Sequence, residues 1–332
     1  MWVKNIWTQK QIIFWIALVA IGLTVQSVST FNLPDKLQDT ITLMLGIVYE
    51  AIPFVIFGVL LSVIIGRYVG DRAIHRLLPK KSWARRPLLS LLGIFLPVCE
   101  CGNIPLSRGL LQKGLKPGEV LTFLFAAPII NPITIYTTSQ AFSNEPEIVV
   151  IRVLAAFIIA NFVGILFAKS KQKEMLTDDF HASCELHAYS QSNRFSTAKK
   201  EIRILSKNFS DEMLKLMPAL VGGSLIAGLI QTIIPRSLLL TVSSEPVLAI
   251  IAMLILAFIV SICANVDAFF ALSLSGIFPT SAIVAFLVFG PMIDIKILSM
   301  LRTTFRTWVL ITVSGVIFVL SLLVGLVVQY AL

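Results

Sequence analysis

An all-α polytopic membrane protein built from two related halves is the fold class this sequence predicts, on three observations. The 332 residues are 57% hydrophobic and only 14% charged, where a soluble domain carries about 25% charged residues. Stretches 12–28, 41–65, 148–168, 213–234 and 308–330 are each apolar enough to cross a bilayer. Motifs of the first half recur in the second, in the same order. Together these exclude a soluble enzyme, a secreted disulfide scaffold and a disordered chain; four cysteines in so long a chain make no disulfide framework. The net charge of +9 sits largely in loops between apolar stretches. That is the positive-inside pattern and not the footprint of a nucleic-acid binder.

A crossing helix needs about 20 apolar residues, each adding about 1.5 Å against a hydrocarbon core of about 30 Å. Residues 1–40 predict an N-terminal anchor, with 12–28 behind Lys4 and Lys10. It reads as a retained anchor and not a cleaved signal, because so many spans follow it. The loop 29–40, with Asp35 and Asp39 against Lys36, reads as outside, so the N-terminus is cytoplasmic. After 41–65 comes the loop 67–86, with seven Lys/Arg against the single acid Asp71, which reads as inside. The next region, 87–142, is apolar but interrupted. Its first part, 87–113, predicts a re-entrant hairpin, since Arg108, Lys113 and Lys116 lie at its end. Glu145 and Glu147 place the start of 148–168 outside. The polar linker 169–212, with eight Lys/Arg and seven Asp/Glu, is then cytoplasmic. The second half, 213–332, contains the interrupted region 247–301 and the last span.

The repeat fixes the halves at 41–168 and 213–332. PFVIFG, with Pro53 and Gly58, matches PALVGG, with Pro218 and Gly223, at an offset of 165. Cys101, Gly102 and Asn103 match Cys263, Ala264 and Asn265 at 162, as Gly114 and Pro117 match Gly276 and Pro279. AAPIIN, ending at Asn131, matches FGPMID, ending at Asp294, at 163. Three crossings plus one hairpin per half make the repeats inverted, a transporter architecture with its substrate site where broken helices meet. A parallel repeat would put 169–212 outside, against its charge.

The chemistry concentrates in LPVCECGNIP at 96–105. Pro97, Gly102 and Pro105 predict a broken helix, because proline removes a backbone donor and glycine is a poor helix former. Freed backbone groups at membrane depth need protein or a water-lined cavity. Cys99 and Cys101 flank Glu100, an ionisable residue at that depth and so a functional candidate. Thiolates favour soft metals and metalloids; CxC lacks the usual CxxC spacing of structural zinc, and a redox disulfide or plain packing are the competing readings. A second break, AAPIINPI at 126–133, contributes Pro128, Asn131 and Pro132. Its counterpart contributes Pro291 and Asp294, with Lys296 close by, and Asp267 follows Cys263. The expected substrate residues are Cys99, Cys101, Asn103, Asn131, Asn265 and Asp294. Glu50, Glu100 and Asp267 are the candidates for proton coupling. His181, Cys184 and His187 in the linker could form a loose three-ligand metal site, weighed against a mobile connector with incidental ligands.

The run LPVCECGNIPLSRGLLQKGLKPGEVLTFLFAAPIINPIT resembles the ArsP/YraQ family of predicted permeases. Cys99, Cys101, Gly102, Pro105, Pro128, Asn131 and Pro132 occupy its motif positions, while Glu100 stands where many members have a small residue. The resemblance implies a permease, and in its characterised members export of trivalent organoarsenicals. The expectation is a gradient-driven efflux permease of a prokaryotic cytoplasmic membrane, not an enzyme. It has no P-loop and no cofactor, and carries a soft thiol-reactive solute such as an organoarsenical or thiophilic metal. Its partners are the substrate and the bilayer, no nucleic acid, and either a second copy or a second membrane subunit. The alternatives are an intramembrane thiol oxidoreductase and a subunit of a metal-responsive complex.

Overall fold

The computed structural model describes residues 35–68, 79, 82–96, 98–190, 198–233 and 245–331. The expected anchor at 12–28, much of the basic loop 67–86, and Pro97 lie outside the described residues. Within them the chain forms fourteen α-helices and no strand. Four helices are long and apolar enough to cross a membrane: Lys36–Tyr68, Pro146–Leu166, Ile204–Ile233 and Thr307–Ala331. They coincide with four of the five stretches of crossing length, and the chain is an all-α polytopic membrane protein.

The first six helices are α1 (Asp35–Tyr68), α2 (Ser82–Leu91), α3 (Glu100–Gln112), α4 (Pro117–Ala126), α5 (Pro132–Ala141) and α6 (Pro146–Leu166). Two short linker helices follow, α7 (Gln172–Met175) and α8 (Asp178–Ser190). The last six are α9 (Ala198–Ile233), α10 (Pro246–Val260), α11 (Asp267–Leu274), α12 (Thr280–Phe289), α13 (Ile295–Leu301) and α14 (Thr307–Ala331). The order of long and short elements from α9 to α14 repeats that from α1 to α6. Packing repeats too: α2, α4 and α6 touch one another, as do α10, α12 and α14. The long helices α1 and α9 lie against each other, with Thr40 and Thr232 hydroxyls 2.9 Å apart. Both carry an internal proline, Pro53 and Pro218, tolerable where neighbouring helices satisfy the freed carbonyl.

Local chemistry explains where the short helices start. Proline opens α4, α5, α6 and α10, where its missing N–H would be unpaired anyway. Helix α12 is almost entirely apolar and α4 is apolar but for Glu119, paired with Arg85, and Thr122; every residue from Pro117 to Ala126 and from Ser281 to Phe289 is buried. They form the centres of the two halves. Outward rows such as Ile158, Phe162 and Ile165 on α6, or Ile311, Val319 and Val327 on α14, are exposed apolar surface suited to lipid.

Two expectations change. Residues 95–96 and 98–99 lie between a 3-10 turn at Leu92–Ile94 and α3 and are not helical, while Gly102 and Pro105 lie inside α3 and do not unwind it. The linker 169–212 is packed, not a mobile connector, over its described part: Arg306 N–H donates to Met175 O at 2.9 Å and Thr177 N–H to Thr304 O at 3.0 Å. Its last part, from Ala198, is already the start of α9. The buried Arg108 ties these pieces together. Its Nε reaches Glu212 at 2.9 Å, its Nη1 reaches the Thr304 hydroxyl at 2.6 Å, and its guanidinium lies 4.2 Å from the Phe180 ring centre.

Candidate functional site

The candidate site is where helix ends from both halves meet. Each of α3, α5, α11 and α13 begins there, presenting N–H groups that its own helix leaves unpaired. Asn131 and Asp294, matched by the repeat, both cap: Asn131 Oδ1 accepts from Ile133 N at 2.9 Å, and Asp294 Oδ1 from Ile297 N at 2.5 Å. Asn131 Nδ2 also donates to Val98 O at 3.4 Å, across the break before α3. Asn131→Ala should therefore lower stability by about 1 kcal/mol, read as an earlier thermal unfolding in detergent. Asn131→Asp keeps the cap but buries a charge and turns a carboxylate oxygen toward Val98 O, so it should not recover the loss.

Opposite the α3 break, α10 stops at Val260 because Ser261 turns left-handed, with φ 52°. The Gln231 amide takes up the released carbonyls of Ile259 and Val260, at 3.3 and 3.1 Å. The segment that follows carries Cys263 to Cys99. The sulfurs of these two cysteines and a Glu100 carboxylate oxygen all lie within 4.8 Å of one another, and all three residues are buried. This is the one such group of ligand-type side chains among the described residues. Cys101 flanks Cys99, and the half-buried Glu50 of α1 sits beside Cys263.

Glu100 is bound to the second half on both oxygens. Oε1 lies 3.3 Å from Lys296 Nζ, and Oε2 accepts from Ala264 N at 3.5 Å. Lys296 also donates to Ser261 O at 3.3 Å and lies 3.8 Å from Asp294 Oδ2. Two thiols, a carboxylate and a lysine are thus assembled from both repeats, in a place closed to bulk solvent.

The other expected residues take structural partners. Asn103 Nδ2 donates to Leu124 O at 2.9 Å and Phe123 O at 3.4 Å, closing the end of α4. Asn265 accepts from the Thr134 hydroxyl at 3.1 Å, and that hydroxyl also donates to Pro128 O. Asp267 is not a free acid: its Oδ2 is 2.6 Å from Arg152 Nη2, with 1% and 2% of the two side chains exposed. Arg152 Nη1 donates to Thr138 at 2.7 Å. Sequence reasoning missed Arg152, although a lone arginine in the apolar α6 was signal enough. Pro132 opens α5, and Pro128 and Pro291 lie in the turns before α5 and α13. In the linker, His181 is half-buried and Cys184 buried on α8; the His187 side chain is outside the described residues.

The profile of the ArsP_1 family, described as predicted permease, matches residues 36–330. A Streptococcus mutans protein named "Putative two-component membrane permease complex subunit" is 33% identical over 298 residues, covering 89% of this chain and 97% of that protein. The UPF0718 protein YcgR of Bacillus subtilis is 34% identical over 266 residues, covering 80% of this chain and 88% of the relative. No solved structure matches the chain significantly.

Proposed function

Because the chain belongs to the ArsP_1 family of predicted permeases, we propose that it carries a soft, thiol-binding solute, a thiophilic metal cation or trivalent organoarsenical, out across a prokaryotic cytoplasmic membrane. The observation that carries this reading is the buried meeting of Cys99, Cys263 and Glu100. Two sulfurs select soft ions, and the carboxylate supplies a third donor and a negative charge. The site draws on both repeats. A relative movement of the two halves, arranged as inverted repeats, would then open and close it. An ion gradient drives the cycle, with Glu50 as the acid nearest the thiols on the α1 side.

Uptake into everted membrane vesicles tests the reading, with cadmium or a trivalent methylarsenical as solute and with and without a proton gradient. Cys99→Ser and Cys263→Ser should each reduce gradient-dependent uptake at least about tenfold, since each removes one of two sulfur ligands. Cys101→Ser should retain most of it. Equal loss from Cys99→Ser and Cys101→Ser, with Cys263→Ser intact, would overturn the cross-repeat site. No uptake by the intact protein, with Cys99 trapped in a mixed disulfide, would favour the thiol oxidoreductase.

A second reading concerns assembly. The Streptococcus mutans relative is named as a subunit of a two-component complex and aligns over nearly its full length. A second membrane subunit is accordingly proposed here too. Its test is affinity purification of the tagged chain from its own membrane in mild detergent, with a stoichiometric membrane protein as the expected result.

A further inference from the structure

Among the described residues, Lys296 is the cation that contacts the thiol–carboxylate cluster, and its ammonium is committed to no single partner. Glu100 Oε1 and Ser261 O are each at 3.3 Å and Asp294 Oδ2 is at 3.8 Å, where a committed charge-assisted N–O bond runs about 2.7–2.9 Å. Asp294 is fixed in place, since its Oδ1 caps α13, the helix that carries Lys296. Its Oδ2 is buried and has no hydrogen-bond donor among the described residues. Ser261 O belongs to the left-handed residue that ends α10, and the last carbonyls of a helix carry partial negative charge. A second seat for the ammonium therefore lies beside the first, within reach of a flexible stem.

We infer that Lys296 is the resident counter-cation of the site. It neutralises Glu100 while no substrate is bound and passes to Asp294 when a soft divalent cation takes Glu100 together with Cys99 and Cys263. The inference rests on that ligand set. In the empty state Asp294 is held by the N-terminus of α13 with the same ammonium 3.8 Å away. In the loaded state the cation balances Glu100 and the two sulfurs, whose protons leave on binding, and the ammonium balances Asp294. The heavy cost of an uncompensated charge at this depth is thus reduced in both. The exchange also discriminates. A hard monovalent cation would gain only Glu100 by displacing the ammonium, whereas a soft cation gains two sulfurs besides.

The test is cadmium alone, titrated into the purified full-length protein in detergent and followed by thiolate-to-cadmium absorption. Lys296→Met removes the competitor and should tighten cadmium binding at least about tenfold, the worth of one charged hydrogen bond. Asp294→Asn removes the second seat and should weaken binding several-fold. In the Lys296→Met background, Asp294→Asn should change nothing, because no ammonium needs a place to go. If Lys296→Met does not fold, the charge-balanced double variant carries the comparison and should bind at least about tenfold tighter than Asp294→Asn alone. Unchanged or weaker binding in Lys296→Met overturns the inference. So does an equal loss from Asp294→Asn in both backgrounds, which is simple charge attraction. Absence of the sulfur band from both wild type and Lys296→Met would instead sink the ligand set itself, so the two failures read differently.

Discussion

Asp267→Ala loses about 3–5 kcal/mol of stability, because it leaves Arg152 charged and buried without its partner. The pair is 2.6 Å apart and almost wholly enclosed. It joins α6 of the first half to α11 of the second, and the Thr138 hydroxyl on Arg152 cannot replace a carboxylate. Thermal unfolding in detergent, followed by size-exclusion, should show Asp267→Ala and Arg152→Ala among the most damaging single substitutions in the chain. Arg152→Met combined with Asp267→Leu should return most of the lost stability, since replacing a buried pair by apolar groups of similar volume is often neutral or better. A mild Asp267→Ala phenotype would refute the pair's structural weight. The double variant also separates two roles for Asp267. If the folded double variant still moves solute under a proton gradient, Asp267 is a brace and not a proton carrier.

The four described spans were legible because length and apolar content alone decide a crossing helix; their ends agree within about five residues except at the start of the third, which begins at Ile204 and not at 213. The short helices were partly legible, through the second break, where Pro132 opens α5; Pro117 and Pro246 open α4 and α10 in the same way. The site was legible in part. Cys99 and Cys101 read as a pair in sequence, and their side chains do meet at the start of α3, which Cys99 caps in an extended conformation. What the spacing did not offer is the further sulfur, Cys263, which also meets Cys99. That residue is 164 positions away, on a segment whose place depends on the whole fold, so spacing could not reveal it. The asparagines show the same limit. At membrane depth a polar side chain serves a ligand or the freed backbone of a broken helix, and composition does not separate the two. Asn103 and Asn131 serve backbone.

The linker shows the converse error. Its charge suggested a solvated connector, yet Met175, Leu176 and Phe180 within it are apolar and fully buried. Phe180 lies under Arg108 and Leu176 pairs with Phe305. Overall polarity outweighed a few well-placed apolar residues in the reading, while in the fold those few decide. The linker is therefore mechanically attached to α3, the helix that carries Cys99 and Glu100.

Gly58→Ala should prevent folding or cost about 3 kcal/mol or more, the upper end for overpacking, while Gly46→Ala on the same helix should be neutral or stabilising by up to about 1 kcal/mol. A Cβ on Gly58 would fall on the Gly102 backbone, on its O, C and Cα atoms, whereas one on Gly46 would meet nothing within 4 Å. The reciprocal contact is equally tight, since a Cβ on Gly102 would strike the Phe54 carbonyl, and one on Gly109 would strike the Ser62 hydroxyl. Small residues thus line the seam between α1 and α3, the usual means of bringing two backbones together in a bilayer. The seam explains why a glycine that looked like a helix breaker sits inside a helix: it serves close approach and not unwinding. Backbone cannot give way there without shifting α3, and α3 begins at Cys99. Partial folding of Gly58→Ala should therefore still displace Cys99 and Glu100 from Cys263, so that cadmium binding falls more than thermal stability does. Equal stability of the Gly58→Ala and Gly46→Ala proteins would refute the seam. A stable Gly58→Ala protein with intact cadmium binding would show that the site does not depend on how closely α1 and α3 approach.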